Sequence, residues 1–224
     1  MSEWWTYSLS DFLMFSPQTY WRLVERYNLA IWPAQLAAAA GGLAIAALLI
    51  GHGRHRDRIV AGLLAACWLW IAWAFHHQRY AQINWAATWF AAAFAVQGLL
   101  LVVLGVLAGR LDFQPAPGRR HGIATVIVAI VVLGYPLLAP LSGRAWTTAE
   151  TFGVTSDPTA IVSVAVLALV HGRRRWLLLA VPLLMCAIAA ATLWTMGAPE
   201  AAVVAGATLL ALLALLPAAW GKRG

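Results

Sequence analysis

Charge is what this 224-residue sequence has least of: 10% of its residues are Asp, Glu, Lys or Arg, against about 25% in a soluble domain. Too few polar side chains are left to cover a water-bathed surface. Lysine occurs once, at Lys222, so the 15 basic residues are almost all arginine. Cysteine occurs twice, at Cys67 and Cys186, each inside an apolar run, which excludes a disulfide framework and a zinc-ribbon spacing. Residues 1–28 lack a basic region followed by a small-residue cleavage site, so the first membrane helix is expected to act as its own insertion signal. The arginines fall between apolar runs and form no folded polar face, which sets nucleic acid aside as a partner.

What is present is apolar: 62% hydrophobic residues, 13 tryptophans and a mean hydropathy of +0.78. A spanning helix needs about 20 mostly apolar residues. Seven stretches meet or approach that length: residues 29–50, 59–75, 85–108, 122–141, 159–170, 176–196 and 201–217. The fifth is short and is extended to 157–172. No Lys, Arg, Asp, Glu or His lies in the middle of any of them, which argues against a buried ion relay. The expectation is an all-α, polytopic membrane helix bundle of seven transmembrane helices, with the lipid bilayer as its first partner.

Eleven of the 15 basic residues fall in alternate connections: Arg54, Arg56 and Arg58; Arg110, Arg119 and Arg120; Arg173, Arg174 and Arg175; and Lys222 and Arg223. Basic loops stay in the cytoplasm, so the N-terminus is expected outside and the C-terminus inside. Six of the eight acids then fall outside, with Asp57 and Asp112 inside. The net charge of +7 becomes a topology label and says nothing about acidic partners. Most tryptophans also map outward, as an aromatic belt at the headgroup level.

Residues 1–28 are too polar to span. Ser10 or Asp11 suits the cap of one short helix, and Ser16-Pro17 the start of another. Tyr20, Trp21, Val24 and Tyr27 then recur at helical spacing. This segment reads as an interfacial amphipathic helix on the outer leaflet, with a lid over the bundle mouth as the alternative. Residues 29–224 form the membrane domain. Within it, His52-Gly53-Arg54 leads to Cys67 and His171-Gly172-Arg173 leads to Cys186, both over fifteen residues. Either 29–108 and 157–217 are parallel repeats joined by linker helix 122–141, a three-plus-one-plus-three plan known in transporters, or Arg-rich loops before Ala/Leu helices align by chance.

Candidate chemistry is sparse. Two thiols related by the repeat axis suit a soft ion, whereas a lone buried cysteine behaves as a small hydrophobe. His76 and His77 close the second helix, and neighbouring helical residues diverge by about 100°, so only one of them enters the bundle. With an outer acid, one His offers a metal site, although no paired-His spacing supports it. Asp157-Pro158-Thr159 reads as an N-cap with Pro at the first helical position. Arg144 and Glu150 are placed to pair with each other or with Asp11, Glu25 or Arg79. Asn84, Trp85, Trp89, Arg144, Trp146, Glu150 and Asp157 are candidate walls of an outward vestibule, and Gln97 is the one amide at mid-depth. No cofactor is firmly implied. Retinal is excluded because the only lysine, Lys222, lies in the tail and not in helix seven.

The run WWTYSLSDFLMFSPQTYWRL over residues 4–23, with Asn84-Trp85-Ala86-Ala87, Phe152-Gly153 and Asp157-Pro158-Thr159-Ala160, resembles an uncharacterised family of bacterial multi-pass membrane proteins known as a domain of unknown function. The resemblance implies a bacterial inner-membrane protein and brings no activity, cofactor or catalytic residue; the arginine distribution adds the expectation of a periplasmic N-terminus. The leading expectation is a protein that binds or permeates a small solute or ion through an outward-facing vestibule. An accessory subunit of a larger membrane complex is the alternative, and a membrane enzyme with a periplasm-facing site using His76 or His77 comes third.

Overall fold

The computed structural model describes residues 14–53, 55–111, 113 and 118–215. Among them the regular structure is helical, apart from one isolated antiparallel bridge between Phe113 and Val170. The N-terminal run 4–13, Arg54, Asp112 and the tail carrying Trp220, Lys222 and Arg223 lie outside the described residues, so the first short helix expected there does too.

Helix α1 (Pro17–Ile31) starts as its sequence predicts: Ser16 Oγ accepts the Thr19 N–H and Pro17 opens the helix. After it come α2 (Ala34–Ile50), α3 (Arg56–Trp70) continuing as a π-helix over Ile71–His77, and α4 (Ala87–Leu100) continuing as a π-helix over Leu101–Leu107. Then follow α5 (Arg119–Gly134), the short α6 (Leu138–Leu141), α7 (Ser156–Leu167), α8 (Arg174–Thr195) and α9 (Glu200–Leu215). Each of the seven apolar stretches thus coincides with a helical segment, but the lengths differ. Four segments, Arg56–Gln82, Ala87–Leu107, Arg119–Leu141 and Arg174–Thr195, are long and apolar enough to cross a membrane, and the bent pair α1 and α2 makes a fifth if counted as one span. Helices α7 and α9 are shorter.

Helix α7 is the pillar of the bundle. Every residue from Asp157 to Leu167 is buried, packed among α5, α8 and α9. A helix apolar on all faces has to be enclosed, and Ile161, Val162, Val164 and Val166 supply that uniform surface. The outer helices bury one stripe and leave Leu36, Trp73, Trp89, Ile130, Leu184 and Leu213 exposed on the other. Small residues permit close approach: Gly105 abuts Ala61 of α3 and Gly98 abuts Leu69.

The connections collect at two ends. At the arginine end, Arg56 donates to the Gly51 carbonyl at 3.0 Å and to the Phe113 carbonyl at 3.1 Å, tying the end of α2 to Phe113. At the opposite, α1 end, α1 lies across the 146–154 segment. Tyr20, Val24, Tyr27 and Asn28 are its buried face, while Arg22 and Arg26 are exposed. Tyr27 Oη donates to the Val154 carbonyl at 2.9 Å, and Asn28 Nδ2 donates to the carbonyls of Thr147 and Ala149, both at 2.8 Å. The helix therefore closes over this end of the bundle, and it runs three residues past the expected end at 28. Its polar groups find protein partners there.

Candidate functional site

The chemistry-bearing side chains gather beneath this lid. A cavity of about 40 Å³ has a polar wall of Tyr20, His76, Tyr80, Ser156, Asp157 and Thr192 and an apolar wall that includes Phe75, Phe90, Phe94 and Met185. A water needs about 10–15 Å³ of such space, so the cavity has room for an ion or a few waters.

His76 reaches this cavity from the π-helical end of α3. The wide turn sends His76 inward, where it is buried, and leaves His77 exposed and stacked on Trp73 with ring centroids 4.9 Å apart. His76 Nε2 lies 2.9 Å from Ser156 Oγ, and its Nδ1 is buried with no partner among the described residues. The Phe94 ring centroid is 4.6 Å from that of His76, and the Phe90 and Tyr80 centroids are both 5.9 Å away. An unmet buried nitrogen costs about 1–3 kcal/mol, so this one points to something the site holds.

Asp157 departs from its expected role. The cap of α7 is Thr155, which makes no side-chain cap bond, and Asp157 already sits within the first helical turn. Thr159 ties the entry turn instead: its Oγ1 accepts the Gly153 N–H and donates to the Thr155 carbonyl, both at 2.8 Å. Gly153 is confined there by a φ of +82° and by Ala38 and Cys67, which a Cβ would meet at 2.8 and 3.1 Å. The Asp157 side chain is left lining the cavity, 7% exposed.

Among the described residues around it the charges do not balance. Glu150, Asp157 and Glu200 are all buried, and Arg144 is the guanidinium among them. Arg144 does not pair with Glu150. It bridges to Glu200 at the start of α9, and its guanidinium carbon sits 3.5 Å from the centroid of the Trp21 ring. Glu150 Oε1 accepts the Tyr20 hydroxyl at 2.6 Å, and Oε2 is buried without a partner among the described residues. Burial pushes the Glu150 carboxyl above the usual carboxylate range, against the Tyr20 hydrogen bond and the Arg144 charge, which pull it down. Glu25 accepts from Thr147 Oγ1 at 2.8 Å. An acidic excess held away from water favours uptake of a proton or a cation.

The other candidates lie elsewhere. Asn84 Oδ1 accepts the Ala86 N–H at 2.9 Å and shapes the turn into α4. Trp85 and Trp89 are 68% and 70% exposed and face away from the bundle. Trp146 lines a separate groove of about 340 Å³ with Leu29, Trp32 and Pro136. Gln97 serves packing: Pro182 has no N–H to give the Leu178 carbonyl, and Gln97 Nε2 donates to that carbonyl at 3.1 Å. Cys67 rests against Gly153, while Cys186 lies beside Thr208 of α9. Among the described residues no group of three or more His, Cys, Asp or Glu is placed to hold a metal. Tyr20, Tyr80 and Ser156 were not singled out for the site by sequence. Tyr20 reads there as one of an apolar stripe, and its hydroxyl matters only because α1 folds back.

A family of unknown function (DUF6064) matches residues 17–223, nearly the whole chain, and the chain belongs to that family. The matched region starts at Pro17, so most of the N-terminal run that carries the resemblance lies outside it. No curated protein and no solved structure matches the chain.

Proposed function

We propose that this member of the DUF6064 family is an integral membrane protein that binds a small monovalent cation, with the proton as competitor, in the cavity beneath α1. The reading is carried by the buried Asp157 carboxylate, which caps nothing and lines a cavity shared with His76 and Ser156. Ser156 and Thr192 hydroxyls and the His76 ring add neutral donors and acceptors, and the faces of Phe90, Phe94 and Tyr80 suit a cation by their quadrupoles. Membrane residence is supported by the four spanning-length apolar helices and the bent pair, and by the exposed Leu, Ile and Trp side chains around the bundle. In this reading α2, α7 and α9 also cross, giving seven crossings with the α1 end in the periplasm of a bacterial inner membrane. Below the cavity α7 is packed with buried aliphatic side chains, and Ser163 is engaged by Trp68 Nε1 at 2.8 Å, which favours binding over open permeation.

The test is thermal unfolding of the purified protein in sodium, potassium, ammonium and rubidium chlorides at constant ionic strength. Wild type is expected to gain stability in one of these salts, and Asp157→Asn and His76→Gln to lose most of that gain. No salt-specific shift in wild type, or an equal shift in Asp157→Asn, sinks the reading. The groove of Trp32 and Trp146 favours a second one, an accessory subunit that meets other membrane proteins there. Isolation from mild detergent as a lone monomer counts against it.

A further inference from the structure

Lid helix α1 carries a second feature on its other side. A groove of about 330 Å³ runs between α1 and the turn after His77, lined by Arg22, Arg26 and Arg79 with Thr19, Leu23, Tyr27, Gln82 and Ile83. We infer that this groove binds a phosphate group, carried by a lipid headgroup or as free inorganic phosphate.

Three observations support the site. First, Arg22 and Arg26 stand one turn apart on the exposed face of α1, an arrangement of like charges that costs a helix about 0.2–0.5 kcal/mol unless an anion offsets it. Second, Arg79 is already held: Nη1 donates to the Ala74 carbonyl at 2.6 Å and the guanidinium carbon lies 4.9 Å from the centroid of the Tyr27 ring. A guanidinium fixed in advance loses little freedom on binding, and its planar fork matches two phosphate oxygens. Third, none of the three forms an ion pair among the described residues. Glu25, which lies between Arg22 and Arg26 in sequence, is turned away to Thr147. Leu23 and Ile83 give the groove an apolar side beside its cations, as an amphiphile requires. The lipid source rests on the membrane reading above; the phosphate chemistry does not.

The experiment is native mass spectrometry of the full chain released from detergent micelles supplied with phosphatidylglycerol, or with sodium phosphate in the buffer. Wild type is expected to retain phosphatidylglycerol, and Arg22→Gln/Arg26→Gln, which alters only exposed positions, to hold it about ten-fold more weakly. Binding of inorganic phosphate with the same loss in the double variant also supports the site and identifies the free anion as its source. Arg79→Gln is expected to lose at least as much, but it also frees the Ala74 carbonyl, so the double variant decides. Equal retention by wild type and double variant, or binding of neither probe to wild type, overturns the proposal. A cation-specific stabilisation that survives in the double variant leaves the cavity reading standing by itself.

Discussion

A side chain's role here is set by which partner it finds at the α1 end. Glu150 is a surface loop acid by sequence and a buried one in the fold, with Tyr20 donating to one oxygen and the other unmet. Its folded-state pKa is raised by burial, so the folded protein holds its proton more tightly than the unfolded chain does. The stability this group contributes is therefore fully present below its ordinary range, near pH 4, and is lost as pH rises through its folded value. We expect the melting temperature of the purified protein to fall as pH rises from acid through that range, and Glu150→Gln to flatten the profile. A wild-type profile that Glu150→Gln leaves unchanged contradicts this. Asp157 was legible as a helix-entry residue because its neighbours Pro158 and Thr159 favour helix starts. Its release from capping was not, because Thr159 takes over that turn through a contact with Gly153, six residues back.

Helix boundaries followed composition where apolar runs were long, and strayed where charged or polar residues ride on a helix end. The second apolar stretch was expected from 59 to 75, yet the helical segment takes in Arg56, which satisfies carbonyls of neighbouring segments, and reaches Gln82, where Arg79 donates back to the Ala74 carbonyl. The π-helical stretch that aims His76 inward has no signal in hydropathy. The pairing of α4 with α8 is a further case: a proline inside an apolar run predicts a freed carbonyl, but only packing shows that Gln97 supplies the missing donor. We expect Gln97→Leu to destabilise the protein by about 1 kcal/mol, in the range of interhelical hydrogen bonds in membranes. Pro182→Ala returns an N–H to Leu178, so Gln97→Leu/Pro182→Ala is expected to recover most of that loss. Additive losses in a double-mutant cycle of melting temperatures argue against the link.

Over the whole molecule, the alternation of arginine-rich and arginine-poor connections predicts which end faces the cytoplasm. In a Cys67→Ala/Cys186→Ala background, a membrane-impermeant maleimide is expected to label Trp85→Cys in intact spheroplasts and to label Arg173→Cys only after lysis. The reverse pattern inverts the topology, and equal labelling of both in intact cells removes the crossing between them. The proposed repeat finds unequal environments: α7 is enclosed on every side, while its counterpart α2 exposes Leu36, Leu43 and Ile50. By itself the sequence determined the helical class, the seven apolar segments and the sorting of charge between connections, because hydrophobic length and charge are local properties of the chain. Tertiary structure alone decided that α1 folds back as a lid, that α7 is the central pillar, and that His76 and Asp157 share one cavity. Each of these depends on contacts between residues up to 130 apart, such as Tyr20 with Glu150, and no local pattern encodes which distant partner a buried polar group will meet.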